Sequence, residues 1–360
     1  MANIDKLTHE GAYLVLNQAT KLEGLGKNII HLEIGQPDFP TPKNIVDAGI
    51  SALIDGKTKY SPPLGVYSLR EEIANKHNIS PGQVAVTPSG KAAIFMAMST
   101  VLSPHDEVLY PNPGFPTYKA LIEYLGCRAV PYKQLSQVPG LHTKKTKLII
   151  INSPSNPTGE IGTYSELLAI TNLNSMVMTD EIYSDIVYGD YQSYYDIADK
   201  DKTILVSGFS KSYSMTGWRI GYMAFPPGLE DKIDCLLTHT IGCTATFTQH
   251  AAIEALSGPQ DSVKEMVKEF KVRRDYIVEE LNKIDNVTCA TPQGAFYVFP
   301  KINHDKSSAW IADYLLKNGV AVLPGSAFGS GGEGYLRLSY ATSITNLTEG
   351  IRRLKIALNK

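Results

Sequence analysis

Between residues 84 and 225 the chain repeats one pattern, a short run of consecutive apolar residues followed by a stretch with helical spacing. The runs fall at 84–87, 107–110, 147–151, 176–179, 203–206 and 220–225, with helices expected from 90, over 118–125 and over 164–171. A strand covered on one face alternates apolar and polar residues, whereas Leu148-Ile149-Ile150-Ile151 and Ile204-Leu205-Val206 are apolar throughout. Such strands are covered on both faces, which predicts an α/β fold with a mostly parallel central sheet flanked by helices. In sheets of this kind ligands sit beyond the carboxyl ends of the strands, so the residues that follow each run are the first candidates for chemistry. The stretch Ala92-Ala93-Ile94-Phe95-Met96-Ala97-Met98 is apolar all round and is expected to form a buried helix.

At 360 residues the chain exceeds a single typical core, and two domains are expected. Residues 1–42 read as an N-terminal arm and part of a smaller domain, 43–284 as the large domain, and 285–360 as a smaller C-terminal α/β unit. The arm reads as an amphipathic helix with Tyr13, Leu14, Leu16, Leu22 and Leu25 as its apolar points, ended by Gly24 and Gly26. A crossing segment carrying Pro37, Pro40 and Pro42 follows, since proline continues neither helix nor central sheet. A long charged helix over 262–284 is expected to bridge the domains, with strands at 287–290, 296–299 and 335–339 beyond it.

A formal net charge of -2 gives no basic footprint for nucleic acid or anionic membrane and leaves small molecules as the expected partners. The first residues lack a signal-peptide pattern and no run approaches the ~18 apolar residues of a membrane span, so a cytoplasmic location is expected. Cys127, Cys235, Cys243 and Cys289 form no C-x-x-C pair and read as reduced packing residues. The eight histidines form no H-x-x-x-H pair, and no metal site is expected.

Several polar residues stand where strands end. Lys211, in Ser210-Lys211-Ser212-Tyr213, lies just past the run 203–206, although a lysine there also suits a solvated role. Ser89-Gly90-Lys91 joins a strand to the buried helix, whose free N–H groups form an anion site. Asp180 ends the run 176–179, either as a helix cap or as a carboxylate that needs a cation or donors. Asn152-Ser153-Pro154-Ser155-Asn156-Pro157-Thr158-Gly159 is a loop after another strand. Phe115 stands where a helix begins, and core packing is one reading of it. Arg337 sits among apolar neighbours on a strand, a setting that suits bidentate recognition of a carboxylate. The glycine-rich stretch 328–334 lacks the flanking strand and helix of a phosphate loop and reads as a flexible connection.

Together these motifs resemble the fold-type I pyridoxal-phosphate-dependent aminotransferases of the aspartate aminotransferase superfamily, class I and II. The resemblance runs from about Ile34 to Tyr340. It rests on Ser210-Lys211-Ser212-Tyr213-Ser214-Met215-Thr216-Gly217-Trp218-Arg219-Ile220-Gly221-Tyr222, with Asn156-Pro157-Thr158-Gly159, Asp180-Glu181-Ile182-Tyr183 and Arg337-Leu338-Ser339-Tyr340. It implies that residues 43–284 bind pyridoxal 5'-phosphate and that Lys211 bonds to its aldehyde, then serves as general base and acid once the substrate displaces it. Asp180 would pair with the ring nitrogen, Asn156 and Tyr183 would hydrogen-bond the ring hydroxyl, and Phe115 would stack on the ring. Ser89, Gly90, Lys91, Ser210 and Arg219 would hold the phosphate. Arg337, with the Gly35 backbone and Asn156, would bind the substrate. Tyr60 matches a tyrosine that reaches the neighbouring subunit's phosphate, implying a homodimer. Phe296-Tyr297 is expected to line the substrate pocket. The implied activity is ping-pong amino transfer between an L-amino acid of aspartate, aromatic or alanine type and a 2-oxo acid, with 2-oxoglutarate as acceptor. The alternative is a β-lyase or cyclising synthase sharing the same fold.

Overall fold

The computed structural model describes residues 4–7 and 9–358. A two-stranded pair, β1 (Ile30–His31) with a later strand, precedes the main sheet. The main sheet holds β2 (Val84–Thr87), β3 (Glu107–Pro111), β4 (Arg128–Tyr132), β5 (Thr146–Asn152), β6 (Met176–Asp180), β7 (Thr203–Gly208) and β8 (Gly221–Ala224). Their order is β2-β8-β7-β6-β5-β3-β4. From β4 to β7 every pairing is parallel, and β8 alone runs antiparallel to both its neighbours.

Consecutive residues of β5 explain its unbroken apolar run. Leu148 and Ile150 join one core cluster with Ala93, Met96 and Ala97 of the helix Gly90–Val101, while Ile149 and Ile151 join another with Leu167 and Ile170. Both faces are thus covered, and each buried aliphatic side chain contributes about 1.5–3 kcal/mol relative to exposure. The register sets Asn152 opposite Asp180, and Asp180 opposite Val206, so the polar residues at the strand ends form one row.

The edge strand β4 is not expected from the sequence. It carries Pro131 and a half-exposed pattern, both tolerated at an edge where one side of the backbone needs no partner.

The remaining strands are β9 (Val287–Thr288), β10 (Tyr297–Val298), β11 (Lys301–Ile302), β12 (Val320–Ala321), β13 (Leu323–Pro324) and β14 (Leu336–Ser339). The first, second and last of these are shorter than the runs expected at 287–290, 296–299 and 335–339. Strand β1 pairs parallel with β12, so the N-terminal segment is stitched to the C-terminal part. Leu32 shares a core with Phe296, Leu338, Tyr340 and with Phe270 and Ile277 of the helix Asp261–Leu281.

The arm helix α1 spans Gly11–Gly24. Its buried stripe differs from the expected one: Val15, Ala19 and Leu22 pack on Ile29, Leu316 and Ala321, while Tyr13, Leu14 and Leu25 are exposed. Spacing of i, i+4 and i+7 selects that face once β12 is the neighbour. Of the cysteines expected to pack, Cys289 is buried, Cys127 and Cys243 are half-buried and Cys235 is exposed; all four are free.

Candidate active site

Twelve of the thirteen residues given a cofactor or substrate role from the sequence line one cavity of about 600 Å³. They are Gly35, Ser89, Gly90, Lys91, Phe115, Asn156, Asp180, Tyr183, Ser210, Lys211, Arg219 and Arg337. Tyr60 stands apart at 96% exposure and does not line it.

The buried helix opens at the cavity. Ser89 caps it, its hydroxyl accepting from the Ala92 amide at 3.2 Å, and the first backbone turn closes from Ala93 N–H to Ser89 O at 3.1 Å. The amides of Gly90 and Lys91 precede that turn, where helix N–H groups lack intrahelical acceptors and favour an anion. Gly221 permits this approach, because a Cβ there would stand 2.5 Å from the Gly90 nitrogen. Ser89 itself holds φ 137°, a strained value for a serine.

Asp180 ends β6 and is fully enclosed. Its Oδ2 accepts from the Tyr118 hydroxyl at 2.7 Å and its Oδ1 from the Ile182 amide at 3.2 Å. Burial raises its pKa to about 6, against the lowering effect of those two donors and of Lys211. Asn152, opposite it in the sheet, donates to the Asp180 carbonyl at 3.0 Å and accepts from the Asn156 amide at 2.8 Å.

Lys211 lies in the turn after β7, its Nζ donating to the Gly35 carbonyl at 2.5 Å. Burial, then the charges of Arg337 and Arg219, lower its pKa to about 8. Gly35 is required here, since a Cβ would meet the Tyr297 hydroxyl at 2.1 Å.

Arg337 on β14 is 4% exposed. Its Nη1 donates to Asn156 Oδ1 at 3.2 Å and its Nη2 to the Glu33 carbonyl, with the guanidinium lying 4.4 Å from the Tyr297 ring centre and 5.0 Å from that of Phe328. Its Nε is buried with no partner among the described residues, a donor free for a ligand. The glycine-rich stretch 328–334 and the residues before it hold two short 3-10 turns, Gly325–Phe328 and Ser330–Gly332. Asn112 pins it, donating to Ser330 Oγ at 3.0 Å and accepting from the Gly331 amide at 2.9 Å.

Tyr183 and Tyr297 share a hydroxyl hydrogen bond of 2.8 Å, and Tyr297 lines the cavity as expected, whereas Phe296 packs behind it. Arg219 donates to the Thr216 carbonyl at 2.7 Å from an exposed position. Sequence reasoning missed Tyr118 and Glu10, and read Asn152 only as a loop residue and Tyr13 only as an apolar point of the arm; all four line the cavity. Nothing in the local spacing marks Tyr118, because its burial and its acceptor are supplied by the sheet beneath its helix. Among the described residues no three or more His, Cys, Asp or Glu side chains are placed to hold a metal ion.

The family model for aminotransferase class I and II matches residues 27–354. A probable aspartate/prephenate aminotransferase of Aquifex aeolicus is 41% identical, the match covering 95% of this chain and 94% of that one. A (5-formylfuran-3-yl)methyl phosphate transaminase of Methanocaldococcus jannaschii is 40% identical, over 96% of both chains. The solved aspartate aminotransferase of Thermus thermophilus with maleate superposes with a TM-score of 0.93 at 31% identity, covering 98% of each chain. A lysine, a buried carboxylate and a buried arginine converge at the strand ends of an α/β sheet, and the chain belongs to the class I and II aminotransferases, transaminases of the pyridoxal-phosphate-dependent fold type I.

Proposed function

We propose that this transaminase holds pyridoxal 5'-phosphate in the cavity and moves an amino group between an L-amino acid and a 2-oxo acid in a ping-pong cycle. The observation that carries this reading is the convergence of Lys211, Asp180 and Arg337 on one cavity. The donor set fits the cofactor. The Gly90 and Lys91 amides with Ser89, Ser210 and Arg219 suit a phosphate, and Asp180 has hydroxyl and amide donors but no cation among its hydrogen-bond partners. That leaves the carboxylate free to meet a protonated ring nitrogen. Phe115 offers a ring face, and Asn156 and Tyr183 offer polar groups to the ring hydroxyl.

When bound, the cofactor supplies an electrophilic aldehyde and a ring that draws electrons from the substrate's Cα. With its pKa near 8, Lys211 is partly neutral at physiological pH, so its Nζ can take a proton from Cα and return one. Arg337 supplies a rigid fork for the α-carboxylate, and the adjacent Tyr297 and Phe328 rings, with the Asn156 and Glu33 hydrogen bonds, hold it in place. The Gly35 carbonyl receives Nζ and keeps the amine pointed into the cavity.

Aspartate, aromatic and alanine-type donors, with 2-oxoglutarate as acceptor, are the substrates proposed. Exposed Tyr60, with Ile54, Tyr67 and Ile50, supports a homodimer in which Tyr60 serves the partner's cavity. Tyr60→Ala should then weaken cofactor retention although the residue lies outside its own cavity. Among the described residues no helix is long and apolar enough to cross a membrane, and we place the enzyme in the cytoplasm with small-molecule partners, neither nucleic acid nor membrane. The test is a half-reaction: one equivalent of 2-oxo acid released per cofactor, with conversion of the cofactor to its amine form. Catalytic release of pyruvate and ammonia without an acceptor, as a lyase gives, would refute the reading.

A further inference from the structure

The cavity holds four cations, Lys91, Lys211, Arg219 and Arg337, and two carboxylates, Glu10 and Asp180. The proposed function, on which this inference rests, engages all of them except the Lys91 side chain and Glu10. Those two are paired: Lys91 Nζ donates to Glu10 Oε2 at 2.5 Å, with side-chain exposures of 46% and 26%. Lys91 also faces the rings of Phe115, 5.3 Å away, and Tyr13, 6.0 Å away. The partners of Arg337 are Asn156, the Glu33 carbonyl, Tyr297 and Phe328, and none of them is shared with Lys91. Lys211 feels the charges of both Glu10 and Lys91, and Tyr297 that of Glu10, so the pair forms a polar wall of the cavity within electrostatic reach of the substrate's place beside Lys211 and Arg337.

On that wall an ammonium that would attract an anionic side chain is already satisfied by the chain's own carboxylate. We propose that Glu10 is a specificity-determining residue that, among the substrates proposed above, ranks aromatic and alanine-type ones ahead of aspartate and 2-oxoglutarate, which carry a second carboxylate. A substrate with a neutral side chain leaves the ion pair intact. One with a distal carboxylate must displace Glu10 from Lys91 or lie beside it, and like charges that close repel. Glu10 precedes α1 on the N-terminal arm, so the displacement requires only that the arm's first turn swing outward.

The test uses the cofactor-loaded enzyme and maleate, a dicarboxylate without an amino group, so binding is read by calorimetry with no turnover. Glu10→Gln, which keeps size and polarity, is expected to tighten maleate binding about tenfold, the scale of relieving one close charge conflict. It should also raise kcat/KM for 2-oxoglutarate relative to pyruvate, with the gain in KM rather than kcat. Adding Lys91→Met should cancel both gains, because the effect runs through the lysine. Unchanged or weaker maleate binding by Glu10→Gln overturns the assignment, as does an equal change in KM for every substrate, which would mark Glu10 as a mere anchor for the arm. Tighter maleate binding in a protein that transaminates nothing would support the role of Glu10 while refuting the proposed function.

Discussion

Asp180 and Arg337 line the same cavity and are each 4% exposed, yet the chain holds them by different means. Asp180 is fixed by sheet register, between Asn152 and Val206, and by donors from Tyr118 and Ile182. Every one of those partners lies inside the continuous sheet or on the segments that follow its strands. Arg337 is held by the Glu33 carbonyl, 304 positions away in sequence, and by Asn156, 181 positions away. The side proposed to hold the cofactor is thus part of the sheet's core, whereas the side proposed to hold the substrate exists only when both ends of the chain dock together. Damage to the first should abolish chemistry, and damage to the second should weaken substrate binding while sparing the cofactor.

Lys211→Ala should break the cofactor side most severely. Loss of the proposed base and covalent anchor is expected to cut turnover by roughly 10⁴-fold and to remove the absorbance of lysine-bound cofactor. Turnover within tenfold of the wild type would sink that division.

Asp180→Asn comes next, with kcat expected to fall roughly 10²–10³-fold as the charge proposed to face the cofactor's ring nitrogen is lost. The same variant carries a stability signature in cofactor-free protein. Burial raises the Asp180 pKa from 3.8 to about 6, so the folded state binds the proton more tightly than the unfolded one. Ionisation then costs stability progressively as pH climbs from about 4 through 6. Denaturant titrations should show Asp180→Asn gaining on the wild type across that window; a loss would mean the Tyr118 hydrogen bond outweighs desolvation.

Arg337→Lys sharpens the contrast from the other side. It keeps the charge but loses the fork, and KM for the amino acid should rise about 10–100-fold with cofactor absorbance intact. If cofactor were lost as well, the two sides would not be separable.

The smallest effect concerns the arm's attachment. His31 on β1 sits 2.7 Å from Glu33 and 3.1 Å from Glu23 of α1, and these carboxylates, the Glu33 hydrogen bond first, raise its pKa to about 9 despite burial. Its contribution is fully present below pH 6.5 and is lost as pH rises through 9. The melting temperature of His31→Asn should fall below the wild type at pH 6, by a few degrees because the His31 ring is a third exposed although its main partner Glu33 is buried, and converge with it by pH 10.

The cofactor side was legible because a strand and the residue just beyond it are neighbours in sequence. Asp180 after Met176–Thr179 and Lys211 after Thr203–Val206 needed no knowledge of what lay across the sheet. Tyr118 was not legible: it reaches Asp180 from the next helix over, 62 positions back, and nothing in its local spacing marks it. The arm was misread for a related reason. Its apolar residues lie on more than one face, and only the presence of Ile29, Leu316 and Ala321 selects Val15, Ala19 and Leu22 as the buried one.

The amino-acid sequence by itself determined the strands of the sheet other than its edge strand β4, their covered faces and the polar residues at their carboxyl ends, since these depend on local runs of apolar side chains and on what directly follows them. Tertiary structure alone decided how Arg337 is braced by Glu33, how Asn112 stiffens the glycine-rich stretch, and that Glu10 meets Lys91 across 81 positions. Such pairings are made between segments that no periodicity links, and their partners become neighbours only after the chain has closed.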